Sequence, residues 1–240
     1  MEYLDPQRLE ALDAAAFQQT TPYPWLNPAG LLTASGYQRL LETLPDVAQF
    51  TPMFGVTRKH GQQSHDRYAL EYERDLAVAA PWRDFIRELQ GPLYARFLRR
   101  MLGRRFLALR FHWHYTPNGC SISPHCDSKT KLGSHIFYFN TAADWEPAWG
   151  GQTVILDDGG RFARRSAPRF EDFDRVLTAE TLGNYSLLFT RRERSWHGMR
   201  EIHCPENAMR RVFIVVVNDV LRAAPRDVVR RFLGQPRQGY

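Results

Sequence analysis

Apolar side chains recur at three- and four-residue steps in three segments of the first hundred residues, which is the spacing of one helix face. The segments are residues 5–16, 33–44 and 82–102, and the last shows the strongest pattern. Residues 51–72 are polar and have no clear period, so we expect a loop there, with room for a short strand. Residues 1–104 are thus predicted to form a mostly helical N-terminal layer.

From residue 106 onward the apolar pattern changes to short runs rich in β-branched and aromatic residues. These runs are residues 106–115, 135–140, 153–156, 186–190 and 211–217. Clusters of Gly, Pro and Asp separate them, as turns separate strands. Helices followed by many short strands predict a mainly β protein, a sandwich or jelly roll that carries a helical N-terminal layer.

The length of 240 residues fits a single domain spanning 1–240. Within it we predict a jelly-roll core at 105–220 and a C-terminal helix or tail at 221–240. Residues 161–182 are polar and charged, and are predicted to be a long loop or flap. We expect the segment 157–182 to be mobile without substrate and to shape a substrate pocket rather than a metal site.

Composition narrows the class of protein. Apolar residues make up 43% and charged residues 24%, as in ordinary globular proteins. The longest apolar run, residues 212–217, is too short to span a bilayer, and the acidic N-terminus shows no secretory signal. Three cysteines are too few for a disulfide framework, so we expect a cytoplasmic, reducing location. No sequence signal indicates an oligomeric state.

The net charge of +6 comes mainly from arginine. Arginine clusters lie at 161–169, 191–194 and 226–231, where they could steer anions or simply be solvated. No alternation of aromatic and basic residues of the single-strand-binding kind is present. Nucleic acid is therefore disfavoured as a partner.

A candidate metal site begins at His125 and Asp127. Side chains two apart in an extended chain project to the same face, so these two can hold one ion together. His197, after the run at 185–190, supplies a third ligand. Two imidazoles and one carboxylate leave coordination positions open, as in non-haem Fe(II) oxygenases. The alternative is that His125 is a core histidine and Asp127 caps a turn.

Arg210 and Arg211 open the strongly apolar run 212–217. A buried arginine requires a partner, because an unpaired buried charge is costly. A dicarboxylate such as 2-oxoglutarate could be that partner, bound through the guanidinium fork. The alternative is an internal salt bridge. Strand alternation turns the two arginines to opposite faces, and we favour Arg210.

An ordered series of motifs resembles the Fe(II)/2-oxoglutarate-dependent oxygenase superfamily, in its prolyl-hydroxylase-like branch. The series covers residues 106–218 and includes Tyr115-Thr116-Pro117, Pro124-His125-Cys126-Asp127, Phe137-Tyr138-Phe139-Asn140, Gly150-Gly151-Gln152-Thr153, Ser195-Trp196-His197-Gly198 and Arg210. The resemblance implies a double-stranded β-helix, which is a jelly roll with the metal at its open end.

The resemblance also implies functional roles. His125, Asp127 and His197 match the three iron ligands, Arg210 matches the arginine that binds 2-oxoglutarate, and Tyr115 and Tyr138 match tyrosines that hydrogen-bond this cosubstrate. The implied protein is an oxidoreductase, a dioxygenase that hydroxylates an unactivated C–H bond and releases succinate and CO2. Its expected cofactors are Fe(II), 2-oxoglutarate and O2, with ascorbate as an optional reductant. The substrate would be a small molecule, an amino acid or a peptide.

Departures from the family pattern refine this expectation. Val212 replaces a Ser or Thr that often helps to bind the 2-oxoglutarate carboxylate, a role for which Tyr115 is the candidate here. Val216 replaces the second arginine of the nucleic-acid demethylases, which argues against base repair. Asp127 is present where halogenases have a small residue. The competing class is a cupin-like binding module, either non-catalytic or holding Zn²⁺.

Other polar residues have open roles. Asn140 and Ser195 are candidates to orient the ligand histidines. His112 and His114 are predicted to face away from the metal, while Trp113 and Tyr115 face towards it. Two further histidines, His60 and His65, lie in a polar loop that could border the substrate entrance or simply be solvated.

Overall fold

The computed structural model describes residues 2–220, and the predicted C-terminal helix or tail at 221–240 lies outside them. Its helices are α1 (Pro6–Ala11), α2 (Ala14–Gln19), α3 (Ala34–Glu42), α4 (Ala80–Leu89) and α5 (Pro92–Leu102). Its strands are β1 (Trp25–Leu26), β2 (Thr51–Met53), β3 (Arg67–Glu71), β4 (Leu107–Pro117), β5 (Ile122–His125), β6 (Lys131–Tyr138), β7 (Thr153–Asp157), β8 (Arg175–Thr178), β9 (Ser186–Thr190), β10 (Trp196–Met199) and β11 (Met209–Asp219).

The strands form two antiparallel sheets, which confirms a mainly β protein. The larger sheet has seven strands in the order β1-β9-β6-β11-β4-β3-β2, and the smaller has four in the order β5-β10-β7-β8. All pairings between these strands are antiparallel. No helix within residues 2–220 has the length and apolarity needed to cross a membrane.

Side chains of the helices pack on one face of the larger sheet. Trp82 of α4 contacts Trp113 and Phe213, with ring centroids 5.1 Å away in both cases. The opposite face of the same sheet carries a second apolar cluster, where Ile136 packs with Ile155 of the smaller sheet. β11 is therefore buried on both faces, which explains its continuous apolar sequence.

The helical segments predicted from periodicity are interrupted. The run at 82–102 forms two helices because the Gly91-Pro92 step breaks the hydrogen-bonding pattern, although the apolar period continues across it. The run at 5–16 breaks before Asp13, whose side chain caps α2. The N-terminal part is also less purely helical than predicted, since β1, β2 and β3 extend the larger sheet.

Acid is expected to destabilise this fold through its buried histidines. Burial lowers the pKa of His135, which is hydrogen-bonded to the Tyr94 hydroxyl, to about 3, and it lowers the pKa of His112 to about 3. The unfolded chain takes up these protons near pH 6.5, so stability should fall from about pH 6.5 towards pH 3 by about 1.4 kcal/mol per pH unit for each histidine. Urea unfolding at several pH values measures this slope. His135→Phe should reduce this pH dependence of the free energy of unfolding by about 1.4 kcal/mol per pH unit. An unchanged slope would contradict the lowered pKa of His135.

Candidate metal centre and adjoining cavity

His125, Asp127 and His197 come together in the structure as the sequence predicts. One ligand atom from each lies within 4.8 Å of the others. His125 ends β5 and pairs directly with His197 of β10 across the smaller sheet, which leaves their ring centroids 4.3 Å apart. Cross-strand partners share a face, so this register alone brings the two imidazoles together. Gly198 permits it, because a Cβ there would lie 2.7 Å from the Ile122 carbonyl oxygen.

Backbone carbonyls set the orientation of both rings. Nδ1 of His125 hydrogen-bonds the carbonyl oxygen of Ser123 at 3.0 Å, and Nδ1 of His197 bonds that of Ser195 at 2.9 Å. Each Nε2 is thereby left as the nitrogen that is available to bind a metal. Burial lowers the pKa of both histidines, which keeps them neutral as metal binding requires. Ser195 thus acts through its backbone, whereas Asn140 is bonded to Met209 and Arg211 and has no role here.

Asp127 is paired with a buried lysine that the sequence did not single out. Lys131 Nζ donates to Asp127 Oδ1 at 2.7 Å, and both side chains are less than a tenth exposed. Burial alone would raise the pKa of Asp127, but Lys131 and the two imidazoles hold it well below its usual range. The carboxylate is therefore ionised, and its other oxygen, Oδ2, lies 3.4 Å from Ser134 Oγ.

Lys131→Met should destabilise the metal-free protein by about 3–5 kcal/mol, because it leaves a buried carboxylate without its cation. Added Zn²⁺ should restore more stability to this variant than to the wild type, since a bound cation replaces the missing charge. Urea unfolding with and without Zn²⁺ measures both effects. Arg87→Met, which removes the exposed pair with Asp84, is the control and should have little effect. Wild-type stability in Lys131→Met would contradict the role of this pair.

Arg210 lies in the same cavity as the three candidate metal ligands. The cavity has a volume of about 210 Å³. Arg210 is 6% exposed, and no carboxylate within residues 2–220 forms an ion pair with it. Its guanidinium donates to the Gly151 carbonyl oxygen and to Thr153 Oγ1, the latter at 2.9 Å. Tyr138 donates to the same hydroxyl at 2.9 Å.

The neighbouring arginine has a different environment. Arg211 turns to the opposite face of β11 and forms an ion pair with Asp144. This arrangement agrees with the alternation expected from sequence and leaves Arg210 as the arginine inside the cavity. Tyr138 does not line the cavity, but it contacts Thr153, which does.

The predicted orientation of β4 is wrong. Tyr115 pairs with Arg211 in the ladder, so it faces the helices together with Trp113. Its hydroxyl donates to the Pro45 carbonyl oxygen at 3.0 Å, and its ring stacks on Phe50. His112 and His114 line the cavity instead. Tyr115 therefore cannot supply the hydrogen bond to the 2-oxoglutarate carboxylate that the sequence suggested. The hydroxyl of Thr153, in the cavity wall, lies beside Arg210 instead.

Three more cavity residues come from the N-terminal half of the chain. They are Arg58, His65 and Arg67. The His65 ring centroid lies 4.5 Å from that of His125, and its Nε2 hydrogen-bonds Ser123 Oγ at 3.1 Å. Sequence reasoning noted His65 only as a possible neighbour of the entrance and missed both arginines, because a polar loop without periodicity gives no indication of which residues turn inward.

The segment 157–182 differs from the loop predicted. It contains β8, which pairs with β7, and Phe173 packs on Trp196 with ring centroids 5.8 Å apart. Arg164 donates to the Asp127 carbonyl oxygen at 3.4 Å, while no residue of the segment lines the cavity. It therefore contacts the chain beside the candidate metal ligands and does not itself line the cavity, whereas we predicted the reverse.

Comparison with solved structures relates this architecture to known proteins. A prolyl-4-hydroxylase from Pseudomonas putida matches with a TM-score of 0.58 and 15% identity, over 85% of this chain and 97% of that one. An oxidoreductase of the 2OG-Fe(II) oxygenase family from Burkholderia pseudomallei matches with a TM-score of 0.57 and 15% identity, over 89% and 91% of the two chains. The chain shares the fold of these oxygenases.

The fold also occurs with a different reaction. SnoN, a non-haem α-ketoglutarate-dependent epimerase from nogalamycin biosynthesis, matches with a TM-score of 0.57 and 18% identity, over 90% of this chain and 82% of that one. A scan against family models finds no match to this sequence, and neither does a search among curated proteins. The likeness is therefore one of fold.

Proposed function

We propose that this protein is an Fe(II)- and 2-oxoglutarate-dependent dioxygenase. The observation that carries the proposal is the presence of two complementary features in one cavity. One is a centre of two neutral imidazoles and one ionised carboxylate, and the other is a buried arginine without an acidic partner in the described chain. The shared fold supports the same conclusion. We further propose that the two sheets are the halves of a double-stranded β-helix.

The residues present suit these cofactors. His125, Asp127 and His197 would hold Fe(II), since two imidazoles with one carboxylate are the ligand set of non-haem Fe(II) oxygenases. When bound, the iron would activate O2 for oxidation of a C–H bond while 2-oxoglutarate is converted to succinate and CO2. Ascorbate would act only as an optional reductant of the iron.

Arg210 would bind the distal carboxylate of 2-oxoglutarate. A guanidinium fork forms two parallel, charge-assisted hydrogen bonds to a carboxylate, and burial of the arginine strengthens them. Thr153 Oγ1, already an acceptor for Arg210 and Tyr138, has its own proton available to donate to the same carboxylate. Tyr138 therefore acts by orienting Thr153.

Apolar side chains would shield the reaction from bulk water. The inner face of β11 continues from Arg210 with Val212, Ile214 and Val216. Phe189 packs on His197, with the two ring centroids 4.6 Å apart. Such a wall lowers the local dielectric constant and so strengthens the charged contacts at Arg210. We propose hydroxylation of a small molecule, an amino acid or a peptide as the outcome.

A second candidate function is a Zn²⁺-binding module without redox chemistry, because three ligands plus water also suit zinc. That function would not explain why Arg210 is buried without an acidic partner in the described chain. The two candidates are separated by incubating the purified protein with 2-oxoglutarate in air, with Fe(II) or with Zn²⁺. We expect succinate release with Fe(II) but not with Zn²⁺. No succinate release with either metal would favour the zinc module.

The cellular setting is also a proposal. Cys120, Cys126 and Cys204 are free thiols in the structure. Free thiols and a readily oxidised Fe(II) both suit a reducing compartment, and we therefore propose the cytoplasm.

A further inference from the structure

The cavity contains a second pair of cations, separate from Arg210. Arg58 precedes β3 and Arg67 begins it, and both line the cavity. Arg67 is only 4% exposed. Its Nη1 donates to the His65 carbonyl oxygen at 2.6 Å, but its Nε is buried and lacks a hydrogen-bond partner, as does Nε of Arg58. Within residues 2–220, neither arginine forms an ion pair with a carboxylate.

The charges around the cavity do not balance. Four cationic side chains line it, namely Arg58, Arg67, Lys131 and Arg210, and Asp127 is the one acidic residue among the lining residues. Lys131 already pairs with Asp127. The lining histidines contribute no negative charge, and burial lowers the pKa of His65, His112 and His114, which keeps them neutral. With Arg210 assigned to 2-oxoglutarate, the buried guanidinium of Arg67 and the half-buried guanidinium of Arg58 remain without an anion.

This second pair lies close to the metal ligands. Arg67 holds the backbone of His65, whose ring in turn lies 4.5 Å from His125. Tyr68, the next residue, pairs with Tyr115 and faces the helices, so alternation directs Arg67 into the cavity. An anion held here would place the carbons attached to it beside the metal centre, within a cavity of about 210 Å³.

We propose that the primary substrate is a carboxylic acid whose carboxylate binds between Arg58 and Arg67. This inference rests on the proposed function, since it assigns the substrate class of the same cavity. Guanidinium groups match the two oxygens of a carboxylate in one plane, and a buried arginine without an anion is costly. The cavity then distinguishes two acids by position, with 2-oxoglutarate at Arg210 and the substrate at Arg58 and Arg67.

Butanoate is a suitable probe because it carries the carboxylate and little else. The protein is held anaerobically with Fe(II) and saturating 2-oxoglutarate, so that Arg210 is occupied, and butanoate binding is followed by calorimetry. Arg58→Met and Arg67→Met should each weaken binding by about tenfold or more, the loss expected for a charge-assisted hydrogen bond. Arg67→Lys should retain part of the affinity, because the ammonium keeps the charge but loses the fork.

Arg165→Met is the matched control, because Arg165 is exposed and lies outside the cavity. It should bind butanoate like the wild type. Arg58→Met keeps the test valid if Arg67→Met fails to fold. The Arg67 side chain donates a hydrogen bond to the His65 backbone, whereas the Arg58 side chain donates none within residues 2–220. Wild-type affinity in both Arg58→Met and Arg67→Met would overturn the proposal, and so would inorganic phosphate binding more tightly than butanoate at equal ionic strength.

A second titration, on metal-free Arg210→Met without 2-oxoglutarate, separates this inference from the proposed function. Butanoate should still bind there, and Arg58→Met added to that background should weaken the binding by about tenfold or more. Retained binding that depends on Arg58, together with a wild-type protein that releases no succinate from 2-oxoglutarate with Fe(II), would overturn only the oxygenase function. Loss of butanoate binding in Arg210→Met would show that the carboxylate uses Arg210, and would overturn the second pocket.

Discussion

Replacing any one of His125, Asp127 and His197 by alanine should abolish Fe(II)-dependent conversion of 2-oxoglutarate to succinate. Each residue would provide one of only three protein ligands, and even residues that merely orient a ligand alter metal affinity by about 10–100-fold. Loss of a ligand itself should therefore weaken metal binding by more than about 100-fold. Metal affinity measured by competition with a chelator, together with succinate release, tests this expectation.

The three variants should differ in stability, which provides an internal control. Asp127→Ala removes the partner of Lys131 and should lower the free energy of unfolding of the metal-free protein by about 3–5 kcal/mol. His125→Ala and His197→Ala leave that ion pair intact and should unfold cooperatively near wild type. If two of the three variants kept wild-type succinate release at limiting iron, the ligand assignment would be wrong.

Arg210→Met should raise the concentration of 2-oxoglutarate needed for half-maximal binding far more than Arg211→Met does. Loss of one partner from a desolvated, hydrogen-bonded charge pair costs about 2–5 kcal/mol, which corresponds to about 30-fold to several thousand-fold in affinity. Methionine preserves most of the side-chain volume, so the comparison reports mainly the charge. Calorimetric titration of 2-oxoglutarate into the metal-loaded protein without O2 provides the measurement.

Arg211→Met is the matched control because Arg211 lies on the other face of the same strand and pairs with Asp144. It tests whether removing any arginine from the start of β11 disturbs the fold. Metal affinity should remain close to wild type in both variants, since neither arginine is a ligand. Equal losses of 2-oxoglutarate affinity, or a larger loss in Arg211→Met, would place the carboxylate elsewhere.

The grouping of the candidate metal ligands could be predicted from sequence because their chemistry is local. His125 and Asp127 are two residues apart in an extended segment, and one further histidine in a matching motif completes the set. The direct pairing of His125 with His197 could not be predicted, since strand pairing joins distant parts of the chain. His197 also lies on a short strand of its own, β10, which the apolar pattern did not reveal.

The orientation of β4 shows a different limit of prediction from sequence. Alternation indicates which residues share a face, but not which face meets the helices. Both faces of β4 are buried in this protein, one by helices and one around the cavity, and each carries aromatic or imidazole side chains. The choice between Tyr115 and His114 as a cavity residue is therefore made by tertiary packing. The inward arginines Arg58 and Arg67 were missed for the same reason.

The central claim is that one cavity binds Fe(II) and 2-oxoglutarate together, and an anaerobic absorption titration tests it most directly. Fe(II) is added to the wild-type protein in the presence of 2-oxoglutarate, and the visible charge-transfer band of the iron–2-oxoglutarate chelate is followed. We expect a band that saturates at one equivalent of iron, requires both components, and is lost in Arg210→Met at the same 2-oxoglutarate concentration. Iron binding to the wild type without any such band at saturating 2-oxoglutarate would contradict the account.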